Sequence, residues 1–142
     1  MKNSSFEDKW GRTTTSVGWV AIPTSLIFLQ EELKINAVEF NVLINLIMHW
    51  WDVDKKPFPA QSAIAHRMGM SKRSIQRALD TLEEKELIIT SQTEKKHSVF
   101  KGRNLYDLSP LVKILNDKSR ILRENLRLDK ERTKAKKEED LE

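Results

Sequence analysis

The sequence predicts a mainly α protein with one small antiparallel β hairpin and a long C-terminal helix. Three observations predict it. Apolar residues recur at three- and four-residue spacing through residues 37–85. Two short β-prone runs, Leu87–Thr90 and Leu105–Leu108, bracket a polar basic stretch. Ser109-Pro110 then places a cap before a proline at a first helical position.

The elements follow in chain order. Residues 1–18 are polar and aperiodic and read as a flexible arm, with Trp10 and Trp19 as anchors onto the domain. A short helix is expected from Thr24 to Lys34, with Leu26, Ile27 and Leu33 facing inward. Asn36 is a good N-cap, and Glu39 three residues on completes a capping box. The helix behind it is expected to run to about Trp51, burying Phe40, Leu43, Ile44, Ile47, Met48 and Trp51 along one face. Trp50-Trp51 could be a stacking platform for single strands, but helical spacing assigns Trp51 to the core face. Asp52–Lys56 is a charged loop, and Pro57-Phe58-Pro59 is extended.

A short helix is expected over Gln61–Met68, ended by Gly69. Ser71 caps the next, which runs to about Lys85. In the final helix Ile114, Ile121, Leu128 and Ala135 form a heptad stripe. The companion positions Leu111, Lys118, Asn125 and Arg132 are mostly polar, which equally fits a helix docked only by its first turns. The expected organisation is an arm (1–18), one domain (19–110) and a charged helix or tail (111–142).

Composition narrows the function. The 142 residues suffice for one domain with appendages. No apolar run reaches the ~18–20 residues of a membrane span, and the first residues lack an apolar leader, so a cytoplasmic, nucleoid-associated location is expected. There is no cysteine, and three histidines make a poor metal set, so no metal or cofactor is expected. Asp52 and Asp54 lack a ligand loop. Glu83 and Glu84 diverge by ~100° on a helix, and no phosphate loop, dinucleotide fingerprint or hydrolase triad is present, so no enzyme is expected. The net charge is +4 and unevenly placed: residues 1–59 sum to −1, residues 60–106 to +4 and residues 111–142 to +2. A basic middle segment suggests a polyanionic partner.

The informative stretch is Gln61–Ile88. Two helices meeting at a tight turn need a small residue at the crossing, supplied by Ala65, and a residue tolerant of positive φ, supplied by Gly69. Met70 plugs the gap, and Ser71 caps the second helix so that its N-terminus can approach phosphates. At ~100° per residue from Ile75, Ser71, Ala78, Leu79 and Leu82 fall inward, while Arg73 and Arg77 fall at about 160° and 200°, directly outward. Gln76 and Ser74 flank them, and Asp80, Glu83 and Glu84 turn the far half acidic. Arg can read guanine, Gln adenine, and hydroxyls phosphate or base.

Ile64-Ala65, Gly69-Met70-Ser71-Lys72, Ser74-Ile75, Ala78-Leu79, Leu82 and Leu87-Ile88 resemble the winged helix-turn-helix signature of bacterial regulators of the GntR type. The pattern is also similar to the helix-turn-helix module of plasmid and phage replication proteins. The resemblance spans residues 37–108 and departs at Glu86, where the pattern has a helix-ending glycine. It implies a wing with strands at about Leu87–Thr93 and Arg103–Leu108 around a basic tip. The implied DNA-binding residues are Ser71, Lys72, Arg73, Ser74, Gln76 and Arg77 on the recognition helix. Gln61 on the first helix joins them, with Lys95, Lys96, His97, Lys101 and Arg103 on the wing. His97 is expected to be a bystander among the lysines, and His49 a partly buried structural residue. The implied function is sequence-specific binding of double-stranded DNA by a transcriptional repressor. The alternative is a replication-initiation or replisome-organising protein of a plasmid, phage or integrated element. A homodimer is expected through the C-terminal helix or the N-terminal helix near Leu26, and the C-terminal helix is also a candidate contact for a protein partner.

Overall fold

The computed structural model describes residues 4–141; residues 1–3 of the expected arm and Glu142 lie outside them. Seven helices and two strands follow one another: α1 (Ser4–Trp10), α2 (Arg12–Val17), α3 (Thr24–Phe28), α4 (Ala37–Met48), α5 (Gln61–Met68), α6 (Lys72–Glu84), β1 (Ile89–Gln92), β2 (Asn104–Asp107) and α7 (Ser109–Asp140). The chain is thus mainly helical, with one antiparallel hairpin and a long C-terminal helix.

The segment read as an irregular arm forms the two short helices α1 and α2. Trp10 and Trp19 do not bury as anchors; the Trp19 ring meets the Phe6 ring, 5.7 Å away between centroids, and both indoles stay largely exposed. Helix α3 stops at Phe28, six residues before Lys34. Leu26 and Leu29 set its buried face, and Ile27 turns outward.

Helix α4 starts as its capping box requires. The Glu39 N–H donates to Asn36 Oδ1 at 2.8 Å, and the Asn36 N–H donates to Glu39 Oε1 at 3.1 Å. Val42, Leu43 and Leu46 enter the core. The helix ends at Met48, so the 100° step that would carry Trp51 inward no longer operates. Trp50 packs on the core, while Trp51 is 87% exposed.

Ile64, Ile75, Leu79 and Leu82 from α5 and α6 close over α4, with Leu26 from α3 beneath. Burying each such side chain contributes roughly 1.5–3 kcal/mol. Lys85 ties α6 to α4 by donating to the buried Glu39 carboxylate at 2.7 Å.

Helix α6 ends in a Schellman turn. The Glu86 N–H donates to Glu83 O at 2.9 Å and the Leu87 N–H to Leu82 O at 3.0 Å. Glu86 takes φ 58°, the left-handed conformation glycine adopts freely. Leu87 and Ile88 are both buried, and two successive inward side chains cannot belong to an alternating strand. The hairpin therefore begins at Ile89, later than expected, in the register Ile89↔Asp107 through Gln92↔Asn104.

Helix α7 begins at Ser109, and the capping acceptor is Asp107 rather than Ser109: its Oδ1 takes the Ser109 N–H at 2.9 Å. That hydrogen bond, with Lys56 4.0 Å away, holds the Asp107 carboxyl below its ordinary pKa. Leu111 and Leu115 anchor α7 in the core, Ile114 and Leu122 pack partly, and Lys118 pairs with Glu32 at 2.8 Å. Beyond Leu122 the helix is exposed, with Arg127 paired to Glu124 and Glu131 along its own surface.

Candidate nucleic-acid interface

Helices α5 and α6 are joined by Gly69, whose φ of 63° lets the Met70 N–H reach Ala65 O at 3.0 Å. Ser71 Oγ accepts the Ser74 N–H at 3.1 Å and lies 2.9 Å from Ser74 Oγ. Ser71 is therefore spent on capping, with Ser74 half-buried beside it. Ile75, Ala78, Leu79 and Leu82 hold the inner face of α6 against the core. Lys72, Arg73 and Arg77 are exposed on the outer face. None of the three side chains forms an ion pair or hydrogen bond among the described residues. Three charges therefore project from a rigid rod without an ion-pair partner among the described residues.

Gln76 is not free in this way. Its Oε1 accepts from Gln61 Nε2, and its Nε2 donates to Asp80 Oδ1 at 2.7 Å. Gln61 thus acts on Gln76, and Asp80, from the acidic far half of the helix, serves as its acceptor. The Gln76 amide keeps one N–H and one lone pair beyond these bonds.

Behind the hairpin, Thr93 donates from N and from Oγ1 to Arg103 O at 3.2 and 2.8 Å. The tip is built on His97. Its Nδ1 accepts the Val99 and Phe100 N–H groups, each at 3.1 Å, and its ring lies 5.0 Å from Phe100. Phe100 in turn meets Phe58 edge-on at 5.0 Å. His97 is therefore more than a bystander: it shapes the turn through Nδ1, while the residue itself stays exposed. At Gly102, φ is 84°, and a Cβ there would meet Lys95 Cγ at 3.2 Å. Lys95, Lys96 and Lys101 are exposed and form no ion pair among the described residues. Arg103 lies over the Phe58 ring at 6.0 Å, at the base of the wing.

Residues 33–88 match a family model described as a helix-turn-helix domain. No curated protein matches the chain. The helix-turn-helix match takes in α4, α5 and α6 and ends where the hairpin begins, so the wing and α7 are features of the structure outside it. Helix α6 occupies the position of the recognition helix in such modules.

Around the helix-turn-helix, a cleft of about 360 Å³ brings Gln61, Lys72, Gln76 and Arg103 together between α5, α6 and the wing. Arg73, Arg77, Lys95, Lys96 and Lys101 do not line it. A second cleft, of about 560 Å³, lies on the other side of Pro59 and Arg103 and is lined by Trp51, Lys55, Lys56, Phe58 and Arg67. Sequence reasoning missed these residues. The signal was the pairing of a tryptophan with a lysine-bearing loop, and it was hidden by assigning Trp51 to the core. His49 caps α4 and is exposed rather than partly buried. Its Nε2 lies 3.3 Å from both Nη atoms of Arg67. Local burial, and then the Arg67 charge, lower its pKa. No helix is long and apolar enough to cross a membrane, and no group of metal-ligating residues occurs, among the described residues.

Proposed function

We propose that the chain binds double-stranded DNA sequence-specifically and acts as a transcriptional repressor. Helix α6 enters the major groove, and the β1–β2 wing follows the backbone or minor groove. The observation that carries this reading is the outer face of α6: Arg73 and Arg77 are exposed and uncompensated on a helix whose opposite face is fully buried. Guanidinium groups so held can pair bidentately with guanine, and Lys72 beside the helix N-terminus can meet phosphate. The wing lysines add affinity with little sequence choice.

One recognition helix offers few base contacts, and specificity in such proteins commonly comes from a dimer on two half-sites. We assign that role to α7 and neighbouring α3, where Ile121, Leu128, Ile27 and Phe28 are exposed. Selection of bound sites from random duplex DNA tests the reading. An enriched palindrome with half-sites about one helical turn apart supports a dimeric regulator. Absence of any enrichment contradicts sequence-specific binding. The exposed Trp51 beside the interface favours a second reading, a replication-initiation protein of a plasmid, phage or integrated element. Enrichment of tandem direct repeats would support it.

A further inference from the structure

We propose that the cleft between the α4–α5 loop and the base of the wing binds a nucleotide unit, its base stacked on Trp51 and its phosphate held by Arg67, Lys55 and Lys56. This inference does not depend on α6 entering a groove.

The cleft, about 560 Å³, falls within the range of small-ligand sites. Two aromatic rings and four cations contribute to it: Trp51, Phe58, Lys55, Lys56, Arg67 and Arg103. The one acid in its lining, Asp52, is engaged in its own turn, its Oδ1 accepting the Asp54 N–H at 3.1 Å. Flat apolar faces among excess positive charge match a planar base joined to an anion.

Trp51 is the decisive residue. An indole left 87% exposed forgoes most of its favourable burial, while Trp50 beside it packs on the core. Yet Trp51 is not loose, because its Nε1 donates to Met48 O at 2.5 Å and so fixes the ring in place. A pinned, solvent-facing ring is what base stacking requires, since little side-chain freedom remains to be lost on binding. Arg67 is likewise held. Its two Nη atoms each lie 3.3 Å from His49 Nε2, and it forms no ion pair among the described residues, so its guanidinium charge stays available.

Nucleobase-plus-phosphate chemistry has two sources, an unpaired residue of single-stranded DNA or a free nucleotide. Anisotropy of a labelled fifteen-residue oligothymidylate and titration with dTMP separate them, using the full chain and its Trp51→Ala, Trp51→Phe and Arg67→Gln variants. Trp51→Ala is expected to weaken the bound probe by roughly ten- to hundred-fold, and Trp51→Phe by much less. Arg67→Gln is expected to flatten the salt dependence. Duplex affinity and the thermal midpoint should not change. Trp51-dependent binding of the oligomer with dTMP weak assigns the site to unpaired strands, and equal per-site binding of dTMP assigns it to free nucleotides. If neither probe binds, or if Trp51→Ala binds both as the parent does, the proposal is overturned.

Discussion

Arg73 and Arg77 could be placed from sequence because a helix rotates ~100° per residue and the apolar residues name its inner face. Gln76 could be placed on that face but not in its true environment, because its partner Gln61 is fifteen residues away on another helix. Arg77→Ala is expected to cost about 1–3 kcal/mol at a preferred site and to relax base preference there. An equal loss on every duplex, measured by competition binding, would make Arg77 a phosphate contact only. Trp51 was misassigned because its placement depended on α4 extending three residues further than it does. His49 carries a pH prediction. Its pKa is lowered from 6.5 in the folded chain, by burial first and Arg67 second. Above that value both folded and unfolded chains hold a neutral ring. As pH falls below it, the unfolded chain takes up the proton first, so stability declines until the folded-state pKa is passed. The urea midpoint should therefore drop between pH 7.5 and 5.5, and His49→Gln should lessen the drop. An identical drop in the variant would assign it to other groups.

At the scale of elements, local signals that close over a few residues were legible. The Asn36–Glu39 capping box, the Gly69 turn and the Ser71 cap all form as the sequence implies. Element ends were legible where such a signal marks them, as in α5 and α6, but elsewhere tertiary packing sets them: α3 and α4 stop early, and Leu87-Ile88 serves the core instead of the hairpin. The departure at Glu86 is a physical one. A glutamate stands at a left-handed position, held there by the Schellman turn. Glu86→Gly relieves that strain at some entropic cost to folding, for a net stabilisation of about 0.5–1 kcal/mol. Urea unfolding measures it, and a lower midpoint for the variant would show that Glu86 stabilises the turn. In the wing, Lys95→Ala/Lys96→Ala should reduce the slope of log affinity against log salt by about 1.8 if both lysines neutralise phosphates. An unaltered slope removes the wing tip from the interface. His97 could not be recognised as the organiser of that tip, because its two N–H donors come from the turn it shapes.

At the scale of the molecule, the helix-turn-helix supplies a rigid base, the wing a second basic limb, and α7 a rod of 32 residues that docks by its first turns alone. A rod of that length extends roughly 48 Å, well past the core that holds its start. Paired Ile121→Glu and Leu128→Glu substitutions lie on its exposed surface and should leave folding intact while shifting sedimentation from a dimer to a monomer mass. A dimer mass in the variant would move the contact elsewhere. The central claim is that the outer face of α6 reads duplex sequence. The most direct measurement is the ratio of affinities for a selected duplex and a scrambled one, compared between the chain and its Arg73→Ala/Arg77→Ala variant at one salt concentration. The expected result is a large ratio for the chain that collapses toward unity in the variant, with its thermal midpoint unchanged. A ratio the same in both would contradict the assignment of α6 as the recognition element.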